Sequence, residues 1–146
     1  MVDGRTRVCG IIANPVEHTL SPVLHNIFAQ ELGHNLIYVP FKPEITGLDI
    51  AVKGAFALHV LGLNVSVPYK QKVIESLVAV EKDAKQIGAV NTLVRMENGY
   101  MGYNTDYLGL WRTFQEEGII LDEQEVIVFG AGGAAKAVAY LCCKEG

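Results

Sequence analysis

Short apolar runs alternate along this chain with stretches in which apolar residues recur every three or four positions, a pattern that predicts strands alternating with helices. Arg7 to Ile12 carries Val8, Cys9, Ile11 and Ile12 almost without a break, as suits a strand buried on both faces of a parallel sheet. Ser21-Pro22 then starts a helix. Serine is a strong N-cap, proline fits the first helical position, Val23, Leu24, Ile27, Phe28 and Leu32 follow at helical spacing, and Gly33 stops it. Leu36 to Phe41 reads as the second strand, closed by Pro40 and Pro43, and a helix follows from about Gly47 to Leu61. Gly62 to Val67 alternates: Leu63, Val65 and Val67 face one side, Asn64 and Ser66 the other. Pro68 ends that strand and opens a helix through Leu77.

The second half begins with a short charged helix, Glu81 to Ile87, broken by Gly88. Ala89 to Met96 and Tyr100 to Asn104 flank Glu97-Asn98-Gly99, and Asn-Gly between β-prone runs predicts an antiparallel hairpin because both residues tolerate positive φ. Asn104 or Thr105 caps a helix from Asp106 to about Glu117, and Gly118 to Gln124 is a polar connection. A wholly apolar strand, Val126 to Phe129, leads through a glycine-rich turn into a helix running to the last residue. That strand is patterned for burial on both faces, yet no later strand follows to flank it. The expectation is one whole domain followed by the opening of a second.

Composition narrows the chemistry. With 146 residues, 50% hydrophobic and 19% charged, the chain has the balance of a soluble globular protein. Its net charge of -4, without a Lys/Arg run, argues against a nucleic-acid partner. No apolar run is long enough to span a bilayer and the start is not of the signal-peptide kind, so no membrane is expected and the compartment is the cytoplasm. Cys9, Cys142 and Cys143 show no metal or disulfide spacing and read as small core residues. His18, His25, His34 and His59 lack ligand spacing, so no metal site is expected.

Four segments could carry chemistry. Gly130-Ala131-Gly132-Gly133-Ala134-Ala135 after an apolar strand has the G-x-G-x-x-A form: the first glycine permits a tight turn, the second lets a pyrophosphate approach the backbone, and the helix N-terminus faces the anion. A plain strand-to-helix turn reads the same way. Asn64-Val65-Ser66-Val67-Pro68-Tyr69-Lys70 delivers polar groups and a lysine into a predicted helix N-terminus, where the dipole disfavours a cation; function or a solvated surface position both account for it. Gly102-Tyr103-Asn104-Thr105-Asp106 places a carboxylate in a first helical turn, as an N-cap cluster also would. Thr19 and Ser21 stand just before a helix, placed to hold a carboxylate or to cap.

Taken together these segments resemble the shikimate dehydrogenase family, with its quinate/shikimate relatives, from Gly10 to about Val138. Asn14-Pro15-Val16-Glu17-His18-Thr19-Leu20-Ser21-Pro22 with His25-Asn26 is similar to the family's opening signature, Asn64 to Lys70 to its N-V-T-V-P-F-K segment, Gly88 to Thr92 to its substrate-hydroxyl stretch, and Gly102 to Asp106 to its G-x-N-T-D segment. The resemblance implies Lys70 and Asp106 as catalytic residues facing each other across one cleft. It implies substrate binding by Thr19, Ser21, Asn64, Ser66, Asn91 and Asp106, and NADP(H) binding by Gly130, Ala131, Gly132, Gly133 and Ala134. It also implies a three-layer α/β substrate domain with a mostly parallel sheet over 1–105, then over 106–146 a linker helix and the first β-α unit of a Rossmann-like NADP domain, incomplete here. The implied reaction is reversible reduction of 3-dehydroshikimate to shikimate, with dual quinate/shikimate specificity, a non-catalytic shikimate-binding module and a different dinucleotide-dependent dehydrogenase as the alternatives. A homodimer is compatible with the sequence. Thr19 stands where the family commonly has Ser, Ser66 where Thr is usual, and Tyr69 where Phe is frequent; hydroxyl chemistry survives all three, and the one-carbon changes at 19 and 66 are worth about 1–3 kcal/mol of discrimination.

Overall fold

β1 (Arg7–Ile12) runs between two parallel neighbours, β2 (Leu36–Phe41) and β3 (Gly62–Val65), in the computed structural model, which describes residues 2–145. This is the setting its unbroken apolar run requires. The crossovers are α1 (Ser21–Glu31) and α2 (Leu48–Ala57). A two-residue β4 (Ala79–Val80) and α3 (Lys82–Ile87) precede the hairpin of β5 (Thr92–Arg95) and β6 (Tyr100–Tyr103). The sheet order is β2-β1-β3-β5-β6-β4; β1 with β2, β1 with β3 and β4 with β6 are parallel, whereas β3 with β5 and β5 with β6 are antiparallel. The fold is α/β with a mostly parallel sheet, and α4 (Asp106–Glu116) and α5 (Gly133–Glu145) complete it.

The two faces of the sheet hold separate cores. On one, Ile12, Leu63, Val65, Leu93 and Tyr100 pack with Leu48 and Val52 of α2 and with Tyr69 and Val73. Each fully buried side chain of this kind contributes about 1.5–3 kcal/mol. On the other, Ile11, Ala13 and Tyr38 pack with Cys9, Val16 and Leu36. Asn26 pins α1 there, its amide donating to the Tyr38 carbonyl and accepting from the Tyr38 N–H, both at 2.9 Å, while the His25 ring stacks on Tyr38 at 4.2 Å. A third small core, Ile87, Ala89, Tyr107 and Ala137, joins α3, α4 and α5. β1 and β2 approach closely at Gly10, where a Cβ would lie 2.3 Å from the Val39 carbonyl oxygen and 2.6 Å from the Phe41 ring.

Several expectations are corrected. The helix expected over 47–61 is a single tight turn, Ile45–Gly47, followed by α2, and it ends early because His59 takes φ 58° on the way into β3. β3 stops at Val65, so Val67 does not share the face of Leu63 and Val65 and is 66% exposed. No α-helix opens at Pro68. The Lys70 carbonyl, which a helix would commit to residue 74, accepts the Val90 N–H at 2.7 Å instead, leaving turns and a short 3-10 helix, Lys72–Ser76. Ser21 is the first helical residue of α1 and Leu20 holds the cap position. Val23, Leu24, Ile27 and Phe28 of that helix, and Leu32 just after it, are exposed, with Ala29 buried in their place. Val126 to Phe129 pairs with no strand among the described residues and is exposed, Phe129 by 94%. Cys9 and Cys142 are half-buried and Cys143 is exposed, so none is a fully buried core residue. The expected helix end at Gly146 lies outside the described residues, in which no helix is long and apolar enough to cross a membrane.

Candidate active site

The strand directions gather the candidate residues at one edge of the sheet. The loop carrying Thr19 leaves the C-terminal end of β1, Ser66 to Lys70 leave that of β3, and Asn104 to Asp106 leave that of β6. β5 runs the opposite way, so Asn91 and Thr92 at its start join them. Open α/β sheets hold ligands at this edge because loops and helix N-termini converge there. Backbone bonds from Ser66 N–H to the Ile12 carbonyl, 2.9 Å, and from Asn14 N–H to the Val67 carbonyl, 3.0 Å, lock the first two loops together.

Lys70 and Asp106 meet directly, the Lys70 Nζ donating to Asp106 Oδ2 at 2.6 Å. Their side chains are 18% and 32% exposed, sheltered enough to hold their geometry and open enough to meet a ligand. Asp106 is set by Asn104, whose buried amide accepts the Asp106 N–H at 2.9 Å and donates to the Ala89 carbonyl at 3.0 Å. The second carboxylate oxygen accepts from Asn91 Nδ2 at 2.8 Å.

Asn91 is one link of a longer chain of hydrogen bonds. Tyr38 Oη donates to Asn64 Oδ1 at 2.7 Å, Asn64 Nδ2 to Thr92 Oγ1 at 3.4 Å, Thr92 Oγ1 to Asn91 Oδ1 at 2.9 Å, and Asn91 Nδ2 to Asp106. All of these donate toward the carboxylate, and aligned bonds polarise one another. Burial pushes the Tyr38 phenol above its usual pKa, which keeps it a donor. Asn91 itself is saturated: Nδ2 also reaches Thr105 Oγ1 at 2.9 Å and Oδ1 also accepts the Thr105 N–H at 3.0 Å. Its amide thus ties Asp106, Thr105 and Thr92 together.

Thr19 and Ser21 stand side by side at the start of α1, their hydroxyl oxygens 3.2 Å apart. Ser66 is half-buried at the end of β3. Tyr38, Thr92 and Thr105 were not singled out from the sequence. Thr92 and Thr105 carry a signal as hydroxyls flanking Asn91 and Asp106 in their motifs, whereas Tyr38 gives none within its apolar run. Tyr38, Asn64 and Thr92 also line a hollow of about 380 Å³ with Cys9 and His25.

The glycine turn fits the pyrophosphate part of a dinucleotide. Gly130 takes φ 115°, a Cβ on Gly130 or Gly132 would meet open space, and α5 starts directly behind at Gly133. Helix N-termini leave backbone N–H groups free for an anion. Gly133 faces the other way: a Cβ there would lie 3.0 and 3.1 Å from the Lys70 stem and 3.3 Å from Ala89 Cβ.

Over residues 11–93, more than half of the chain, the sequence matches the family described as the shikimate dehydrogenase substrate binding domain. It is 45% identical over 146 residues to the shikimate dehydrogenase (NADP(+)) of Desulforamulus reducens, covering 99% of this chain and 50% of that one. A solved shikimate dehydrogenase from Aquifex aeolicus superposes with a TM-score of 0.93 at 40% identity, over 100% of this chain and 55% of that one. Another from Listeria monocytogenes, in complex with shikimate and NAD, gives 0.89 at 34%, over 99% and 50%. The chain thus spans about half the length of the curated relatives it matches. With its matched residues carrying the end of β1, β2, β3, the lysine turn and the start of β5, this chain belongs to the family of shikimate dehydrogenase substrate-binding domains.

Proposed function

We propose that this chain supplies the substrate site and the proton-transfer pair for the reversible, NADP(H)-dependent reduction of 3-dehydroshikimate to shikimate in the cytoplasm. The 2.6 Å contact between Lys70 and Asp106, at the receiving end of an aligned hydrogen-bond chain, carries this reading. Reduction adds a hydride to the ring carbonyl carbon and a proton to its oxygen; the hydride is what NADPH supplies when bound across Gly130 to Ala134. Lys70, as the ammonium, gives the proton to that oxygen and is left neutral, and in oxidation it takes the proton back. Asp106 holds the lysine and accepts a substrate hydroxyl on a remaining lone pair, and Asn91 holds Asp106. Thr19 and Ser21 present hydroxyls to the substrate carboxylate, while Asn64 and Ser66 reach ring hydroxyls. The domain division proposed is 1–105 for substrate and 106 onward for the approach to the cofactor.

The test is a fusion of this chain to the C-terminal half of the Desulforamulus reducens relative, assayed for shikimate-dependent NADP+ reduction and, by calorimetry, for shikimate binding. Lys70→Ala should bind shikimate yet lose about 10²- to 10⁴-fold in turnover, the range for a lost general acid. Near-normal turnover overturns the assignment. Because Val126 to Phe129 is unpaired, a second reading is a shikimate-binding module without turnover; an unsubstituted fusion that binds but does not react would support it.

A further inference from the structure

Away from the lysine pair, Asp83 in the first turn of α3 gathers donors from two helices. Tyr107 of α4 donates its hydroxyl to Asp83, and α5 contributes Tyr140 Oη at 2.7 Å and Lys144 Nζ at 3.3 Å. Tyr140 Oη also reaches Gln86 Oε1 at 3.0 Å. The two tyrosine rings meet edge to face with centroids 5.3 Å apart, and Lys144 Nζ lies 5.1 and 5.4 Å from their centres. Hydrogen bonds from the tyrosines hold the Asp83 carboxyl down at about 2, and burial with the neighbouring carboxylate pushes Tyr107 up to about 12. The cluster is therefore ionised at Asp83 and protonated at Tyr107 throughout the neutral range.

Its position gives it leverage. Tyr140 and Gly133 lie on one continuous helix, seven residues or about 10 Å apart along the axis. Gly133 is where α5 touches the Lys70 stem, and Lys136 Nζ meets Gln71 Oε1 beside it at 3.0 Å. One end of a rigid rod is gripped by α3, and the other rests on the lysine.

We infer that Asp83 is a positioning residue: by holding Tyr140 and Lys144 it seats α5, and with it the glycine turn, against Lys70. The seating is a property of the chain itself; its meaning for proton transfer rests on the function proposed above. Asp83→Asn keeps the shape and removes the charge, and Tyr140→Phe removes one donor from the other side. Two readouts apply to each variant: hydrogen exchange resolved along the chain, and the rate of lysine acetylation by mass spectrometry. Exchange over 136–139, the first hydrogen-bonded amides of α5, should rise about tenfold or more in Asp83→Asn and less in Tyr140→Phe. Acetylation of Lys70 should rise severalfold while that of exposed Lys53 stays unchanged, and β1, β3 and β5 should keep their protection. No change over 136–139, or a uniform loosening of the whole chain, overturns the inference. Failure of the unsubstituted chain to bind shikimate would instead count against the proposed function and leave the exchange result to judge Asp83.

Discussion

Asn91→Ala is the most informative single substitution, because this side chain connects the sheet to the carboxylate. It removes the bond to Asp106 Oδ1 at 2.8 Å, those with Thr105 Oγ1 at 2.9 Å and Thr105 N–H at 3.0 Å, and the one received from Thr92 Oγ1 at 2.9 Å. The charged bond is worth about 1.5–3 kcal/mol and each neutral one about 1 kcal/mol, an upper sum near 6 kcal/mol. Asn91 is 9% exposed at the sheet edge, so water entering the vacated space recovers part of this and the expected loss is about 3 kcal/mol. That is a large share of the roughly 5–15 kcal/mol of a typical domain. Urea unfolding should show it as a lower midpoint at unchanged slope. On the proposed function, shikimate affinity should fall about tenfold as Asp106 comes loose, a change of about 1.4 kcal/mol. A stability loss under about 1 kcal/mol would refute the reasoning, for it would mean that Asp106 and Thr105 are held by something other than Asn91.

Two further outcomes follow from the packing and the charges. Gly10→Ala should cost more than about 3 kcal/mol in the same urea experiment, because the new methyl meets a backbone oxygen at 2.3 Å that the β1–β2 pairing holds in place. Asp83 is lowered from 3.8 to about 2, so its contribution is complete above the unfolded value near 3.8 and is lost as pH falls from there toward 2. Acid unfolding followed by circular dichroism should show this loss in the native chain and a shallower dependence across that window in Asp83→Asn.

Much of this fold was legible where chemistry is local. The apolar run of β1, the Asn98-Gly99 turn and Gly88 at the end of α3 each mark an element through the conformation of a few neighbouring residues. The motifs likewise identified Lys70 and Asp106, which the structure brings into contact although they are 36 residues apart. What the sequence concealed depends on partners distant in the chain. The turn after Pro68 forms because Val90 takes the Lys70 carbonyl, a competition that local pattern cannot show. β4 is two residues long and exists through its pairing with β6. Apolar character misled for Val126 to Phe129 and for α1, since periodicity reports which residues favour burial and not whether anything covers them.

The one-way order of the hydrogen bonds has a stoichiometric consequence. With Asn91 saturated, the hydrogens still free are two on Lys70, one on Asn64 and those of the Ser21 and Ser66 hydroxyls, since Thr19 donates its own to Ser21, against two spare lone pairs on the Asp106 carboxylate. Together these hydrogens outnumber the spare lone pairs of the carboxylate. A ligand rich in oxygen, with a carboxylate, a carbonyl and a hydroxyl, completes that count, whereas an amine placed against Lys70 would leave two donors facing each other. Selection among small molecules is thus written first in the supply of protons on the wall, before any question of shape.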